Sequence, residues 1–173
     1  VFLDRDGTVM EEAGYCRDPQ QVRLLAGARE AIVALRAAGY GIVIVTNQSG
    51  IGRGWITEAE YQAVRQEFER QLGPGLIDAT YYCPDSPSAG PSACRKPAPG
   101  MLLQAAHDLD LDLARCWMVG DKASDIEAGR AAGTRTALVE TGYGRESAAA
   151  GVTADLHAAD LREVAQYLAA QPA

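Results

Sequence analysis

The chain has 173 residues, of which 47% are hydrophobic and 23% charged, the balance of a soluble globular protein long enough to bury one real core. Lys and Arg total 16 against 23 Asp and Glu, and the resulting formal charge of -7 gives a surface that repels nucleic acid and anionic lipid. The best apolar run, Ile42 to Val45, falls far short of the roughly 18 residues of a membrane-spanning helix, and 4 cysteines do not make a secreted disulfide scaffold. No signal-peptide pattern opens the chain, so a cytoplasmic location is the expectation.

Val1 to Asp4 reads as a short buried strand. Gly27 to Ala38 places Ala28, Ile32, Leu35 and Ala38 on one helical face, and Gly39 supplies the stop. Gly41 to Thr46 is β-branched and apolar, as expected of a central strand covered on both sides. Thr57 followed by Glu60 reads as a capping box for a helix to about Leu72, with Tyr61, Val64, Phe68 and Leu72 on its apolar face. Ala79 to Cys83 is a third strand, Met101 to Leu109 a helix, and Cys116 to Gly120 a fourth strand. Ser124 to Ala132 is a helix closed by Gly133, Thr136 to Glu140 a fifth strand, and Asp160 to Ala169 a closing helix. This alternation predicts an α/β fold of three layers, Rossmann-like, with a mainly parallel sheet and helices on both faces. One domain over residues 1–173 is expected, with no repeat, no linker and no room for a separate cap. Pro84 to Gly100, rich in Pro, Ser and Ala, is the one long irregular stretch, and such loops are more often functional than idle.

Open parallel sheets bind ligands outside the carboxyl ends of their strands. The first strand ends in Asp4-Arg5-Asp6-Gly7-Thr8 and the second in Thr46-Asn47-Gln48-Ser49-Gly50. After the third strand and its loop comes Arg95-Lys96-Pro97, and the fourth ends in Gly120-Asp121-Lys122 with Asp125 one turn on. Several acids on one rim repel one another unless a cation sits among them, and oxygen-only ligands select a hard ion such as Mg2+. A carboxylate beside a metal-held phosphate can act as nucleophile, and a second acid two residues away can protonate the leaving alkoxide and then activate water. Lys96 and Thr46 can neutralise charge on the transferring phosphoryl group.

DRDGT, TNQSG, RKP and GDKASD, in that order, resemble the four motifs of the haloacid dehalogenase superfamily of phosphatases. More narrowly, FLDRDGTV, VTNQSGIGRG, YYC, CRKPAPGM and MVGDKASDIEAG resemble the D-glycero-D-manno-heptose-1,7-bisphosphate 7-phosphatase family, with the histidinol-phosphatase domains as close relatives. The resemblance implies Asp4 as nucleophile and Asp6 as general acid/base, with Thr46 and Lys96 holding the phosphoryl group. It implies Mg2+ on the Asp4 carboxylate, the Asp6 main-chain carbonyl and the Asp121 carboxylate, with Asp125 outside the ligand set. Substrate contacts carry over onto Glu12, Ala13, Gly14, Tyr15, Asn47, Gln48, Ser49, Arg95 and Lys122. Lys122 also reads as a solvent-facing residue at a helix start, and Arg53 as a surface charge or a contact for a distal phosphate. His107 and His157 lack motif partners, Trp55 reads as a packing residue or loop anchor, and Ser147 to Ala150 carries no assignment.

Relatives in that family often hold a structural zinc in the long loop through a CPH…CxCRKP pattern. Here Cys83 and Cys94 keep the outer positions, but Asp85 stands where His is expected and Ser92 where Cys is expected. Four Cys or His ligands normally close such a site, so two free thiols are the expectation, with zinc and a disulfide as the alternatives. Cys16 and Cys116 read as ordinary small residues. The functional expectation is an Mg2+-dependent phosphomonoesterase that removes the C7 phosphate of a heptose 1,7-bisphosphate through an aspartyl-phosphate. It acts as a monomer on a small phosphorylated sugar, with no nucleic-acid or membrane partner. Histidinol-phosphate hydrolysis and a non-catalytic phosphosugar-binding module are the alternatives, and a polynucleotide 3′-phosphatase is disfavoured by the charge.

Overall fold

A computed structural model describes residues 1–171. Six parallel strands, β1 (Phe2–Leu3), β2 (Val43–Asn47), β3 (Ala79–Cys83), β4 (Trp117–Gly120), β5 (Arg135–Val139) and β6 (Leu156–Ala158), form one sheet in the order β3-β2-β1-β4-β5-β6. Seven α-helices accompany them among the described residues: α1 (Ala28–Ala37), α2 (Ser49–Gly52), α3 (Glu58–Leu72), α4 (Gly100–Leu109), α5 (Ala123–Ala132), α6 (Gly144–Ala149) and α7 (Leu161–Ala169). The predicted Rossmann-like α/β architecture is what the chain adopts. No helix among the described residues is long and apolar enough to cross a membrane.

The apolar strands are explained by burial on two sides. Leu3, Ile44 and Val119 face one layer with Ile32, Leu35, Val64, Phe68, Val164 and Leu168 of α1, α3 and α7. Phe2, Val43, Val45 and Met118 face the other, against Met101, Leu102 and Ala105 of α4 and Ala128 of α5. Neighbouring residues of one strand thus enter opposite cores, which is why no polar alternation marks the central strands. The Thr57–Glu60 capping box forms as expected: the Glu60 backbone N–H donates to the Thr57 hydroxyl, and the Thr57 N–H donates to the Glu60 carboxylate.

Three features depart from the sequence reading. The first strand is shorter, because Asp4 leaves the ladder, although its N–H still donates to the Val119 carbonyl at 2.9 Å. β6 and the short α6 were not expected. Leu156–Ala158 is too brief for period-2 alternation to show, and Asp155 secures it by accepting from the Thr136 N–H at 2.7 Å and hydroxyl at 2.8 Å. Within the long loop, Pro87–Ala89 makes a single 3-10 turn.

β1 lies between β2 and β4, the point at which the chain reverses its progress across the sheet, so a crevice opens above the carboxyl end of β1. Ile32, fully buried between α1 and the sheet, carries the packing that holds this frame. Ile32→Ala should lower the unfolding free energy by about 2–5 kcal/mol in urea titration and leave turnover per folded molecule unchanged.

Candidate active site

A cleft of about 560 Å³ occupies this crevice, lined by Asp4, Asp6, Glu12, Gly14, Tyr15, Thr46, Asn47, Gln48, Ser49, Arg95, Lys96, Lys122, Asp125 and Tyr143 among others. A larger cleft of about 800 Å³ lies at the opposite, amino ends of the strands and gathers no cluster of buried acids. The position of the smaller one agrees with the rule for open parallel sheets.

Lys96 is the centre of the cleft. Its ammonium, 2% exposed, lies 2.6 Å from Asp4 Oδ1 and 2.7 Å from Asp125 Oδ1, and donates to the Val45 carbonyl at 2.8 Å. Burial opposes that charge, but Asp125 and Asp4 outweigh it and hold the ammonium above the ordinary lysine range. The loop that delivers Lys96 is fixed by Asn47, whose amide nitrogen donates to the Lys96 carbonyl and whose amide oxygen accepts from the Lys96 N–H, both at 3.0 Å.

Asp4, Asp121 and Asp125 bring carboxylate oxygens within 4.8 Å of one another, all three buried. Burial pushes Asp4 up to about 8, with Lys96 opposing and Asp125, Asp121 and Asp6 adding to the rise. Burial likewise pushes Asp121 up to about 6, against the Tyr143 N–H that donates to its Oδ2 at 2.8 Å. Asp121 Oδ1 is buried without a hydrogen-bond partner. The same carboxylate is sandwiched between two glycines of positive φ. A Cβ on Gly7 (φ 87°) would meet Asp121 Oδ2 at 2.3 Å, and one on Gly142 (φ 54°) would meet it at 2.2 Å. Both positions therefore need glycine for conformation and for space.

Asp6 is held apart from this acid group. Its Oδ2 accepts from Gln48 Nε2 at 3.1 Å and from the Thr46 hydroxyl at 3.3 Å, and Gln48 Nε2 also reaches that hydroxyl at 2.8 Å. Lys122 Nζ pairs with Glu12 Oε2 at 2.7 Å and lies 4.7 Å from the Tyr143 ring centroid, so it is not simply solvent-facing. Burial opposes its charge, yet the Glu12 hydrogen bond and Asp121 hold it above the ordinary range. Arg95, half-buried, donates to the Asp85 carbonyl at 3.3 Å; burial and the nearby Arg53 guanidinium lower its pKa. Arg53 itself stacks on Trp55, which meets Tyr15 edge-on at 4.6 Å, so Trp55 anchors the loop after β2.

Of the residues singled out from sequence, Ala13 alone among the substrate set does not line the cleft and is exposed. Asp121 sits beneath the cleft floor at 0% exposure. Tyr143 is the residue that sequence reading missed: it follows β5, and the strand-end rule applied to four strands would have found it at the fifth. Ser147, from the stretch given no assignment, donates its hydroxyl to the Asp121 carbonyl at 2.8 Å. His107 and His157 are exposed and away from the cleft.

The expectation of two free thiols in the long loop is corrected. Cys83 and Cys94 are joined as a disulfide, which leaves no thiolate for zinc. Asp85 and Ser92 do gather there, with the Ser92 hydroxyl donating to Asp85 Oδ2 at 2.7 Å, so the four positions converge without a zinc ligand set. Cys16 and Cys116 are free, as expected.

Comparison with known proteins agrees with this geometry. A HAD-hydrolase-like family model matches residues 93–164. A Yersinia pestis protein named D-glycero-beta-D-manno-heptose-1,7-bisphosphate 7-phosphatase is 40% identical over 151 residues, 82% of this chain and 80% of the relative. A Burkholderia mallei protein named for the alpha anomer is 42% identical over 149 residues, 80% of this chain and 78% of the relative. The crystal structure of D,D-heptose 1,7-bisphosphate phosphatase from B. bronchiseptica, complexed with magnesium and phosphate, is 38% identical with a TM-score of 0.90, covering 97% of this chain and 96% of that one. Four strand-end motifs converging on one cleft, together with these likenesses, show that the chain is a phosphoric monoester hydrolase and belongs to the D-glycero-D-manno-heptose-1,7-bisphosphate 7-phosphatase family of the haloacid dehalogenase-like hydrolases.

Proposed function

We propose that the protein is an Mg2+-dependent phosphatase that removes the C7 phosphate of D-glycero-D-manno-heptose 1,7-bisphosphate. The observation that carries the cation is the charge balance: three buried carboxylates gather within 4.8 Å of one another, a single buried ammonium pairs with two of them, and Asp121 Oδ1 has no partner. Such an excess of buried negative charge is costly unless a cation neutralises it. Asp125 is engaged through both oxygens, one by Lys96 and one by the Lys122 N–H at 3.0 Å, which leaves the Asp4 and Asp121 carboxylates as ligands, and the family resemblance adds the Asp6 main-chain carbonyl. When bound, Mg2+ supplies charge neutralisation for the phosphoryl oxygens and shields them from the acids.

The chain's own residues then divide the work. An Asp4 carboxylate oxygen attacks phosphorus as the phosphorus–oxygen bond to the sugar breaks, and Asp6 gives its proton to the departing oxygen. Asp6 next takes a proton from water, which attacks the aspartyl-phosphate, releases inorganic phosphate and restores Asp4. Lys96 and the Thr46 hydroxyl contact the phosphoryl oxygens. The whole chain acts as one phosphatase domain without a cap, so an extended sugar has open access.

Two guanidiniums near one another, Arg95 and Arg53, support a second phosphate at the rim, since like charges drawn together favour an anion between them. Glu12, already paired with Lys122, offers no free carboxylate to the amine of histidinol phosphate. Relatives of nearly equal identity are named for opposite anomers, so identity does not choose between the two sugars.

Asp4→Asn should abolish phosphate release while leaving the melting temperature close to that of the parent, because an amide does not attack phosphorus. Retained turnover would remove Asp4 as nucleophile. Burial raises the carboxyls of Asp4 to about 8 and Asp121 to about 6, above the unfolded range, so their contribution to stability is present in acid and lost as pH rises through 6 to 8. Mg2+ binds the ionised forms, so the rise in melting temperature that it produces should grow over the same window. A rise of equal size at pH 5 and pH 9 would count against these ligands.

Phosphate release from the two bisphosphate anomers and from histidinol phosphate tests the substrate. A preference of about a hundredfold for a bisphosphate, ~2.7 kcal/mol of transition-state discrimination, is expected. Arg95→Ala should cut that bisphosphate rate by about 10- to 100-fold, the worth of a charge-assisted hydrogen bond, and spare p-nitrophenyl phosphate. Equal losses on both would remove Arg95 from specificity.

A further inference from the structure

Arg5 stands between the two aspartates of the first motif and has no role in the chemistry described above. Its side chain is 3% exposed, and it makes a two-pronged contact with its neighbour: Nε donates to Asp6 Oδ2 at 3.1 Å and Nη2 to Asp6 Oδ1 at 3.0 Å. The guanidinium carbon lies 5.8 Å from the ring centroid of Tyr61, itself 1% exposed on α3. The third nitrogen, Nη1, is buried without a partner, as is the Tyr61 hydroxyl. Stability alone is a poor reason for this arrangement. Burying an ion pair costs desolvation that the attraction barely repays, an apolar side chain of similar volume would serve packing as well, and one donor is left unsatisfied besides.

A planar fork does what neither a point charge nor an apolar residue can do: it fixes both the position and the rotation of the carboxylate that it grips. The remaining donors reinforce this. Gln48 and Thr46 both contact Oδ2, so that oxygen is saturated, while Oδ1 receives only Arg5 Nη2 and keeps room for a further contact. Tyr61 backs the guanidinium from the helix side and closes off alternative placements.

We propose that Arg5 is a positioning residue that sets the orientation of the Asp6 carboxylate for proton transfer to the leaving oxygen. The inference rests on the acid role given to Asp6 above, and it concerns the placement of that group rather than its ionisation.

The test uses the ratio of kcat/KM for p-nitrophenyl phosphate to kcat/KM for a sugar phosphate, both measured on one preparation, so that any loss of folded protein cancels. This constant reports steps only up to formation of the phosphoenzyme, so later hydrolysis, common to both substrates, does not enter. An aryl oxide departs without help, whereas a sugar alkoxide needs the acid, whose contribution is typically about 10²–10⁴-fold. Arg5→Gln should raise the ratio at least about tenfold, a part of that contribution, and Arg5→Lys, which keeps the charge but loses the fork, should fall between it and the parent. Asp6→Asn should raise it most. A ratio unchanged in both Arg5 variants but raised in Asp6→Asn would overturn the role of Arg5 alone. A ratio unchanged in Asp6→Asn would overturn the acid role itself, and that of Arg5 with it.

Discussion

A single buried ammonium has to satisfy two carboxylates and a carbonyl that come from two strands and a helix. Lys96 arrives from the loop before α4, Asp4 from the end of β1, Asp125 from the first turn of α5, and the Val45 carbonyl from β2. None of these groups is tolerable in the interior by itself. An unpaired lysine there would cost several kcal/mol, and so would either acid. Their mutual contact therefore couples the loop, the sheet and the helix into one arrangement, and a displacement of any one of them strands a charge in the core.

The surrounding structure serves that constraint. Asn47 clamps the main chain of Lys96 from both sides, and the Cys83–Cys94 disulfide closes the loop immediately before it. Gly7 and Gly142 let two backbone segments press on the Asp121 carboxylate, while the Tyr143 N–H donates to its Oδ2 and the Ser147 hydroxyl to the Asp121 main-chain carbonyl. The acids remain in excess of the cations, and burial first, with the neighbouring acids adding to it, raises the pKa of Asp4 and Asp121. That surplus of buried negative charge is the feature on which the proposed divalent cation rests.

A second polar group, Arg5 with Asp6, Gln48 and Thr46, lies beside the first and is almost independent of it in its hydrogen bonds. The separation is chemically useful, because it places the two aspartates of one five-residue motif in different environments. Asp4 sees an ammonium and other acids; Asp6 sees a guanidinium and neutral donors. Two carboxylates two residues apart can then behave differently, as environment rather than residue type decides.

Much of this was legible in the sequence. The apolar runs of β2 and β4 and the amphipathic spacing of α1 and α3 determine a parallel sheet between two helical layers, because burial on both faces admits no polar alternation. Strand-end polar residues then identify the rim, including Asp4, Thr46, Lys96 and Asp121. What sequence did not carry depends on distance through space. β6 is too short to show a period, and its place is settled by the Asp155–Thr136 contact across 19 residues. Tyr143 meets the site through its backbone N–H on Asp121 and its ring beside Lys122, contacts that only the fold brings together. Cys83 and Cys94 are 11 residues apart, and only the approach of the loop ends decides between thiols, a metal and a disulfide. Arg5 reads as an ordinary charge within a turn until the fold buries it against Tyr61 and turns its fork onto Asp6. Local pattern determined the elements and the chemistry that their ends carry; which charges face one another was decided by tertiary structure, since only packing sets those distances.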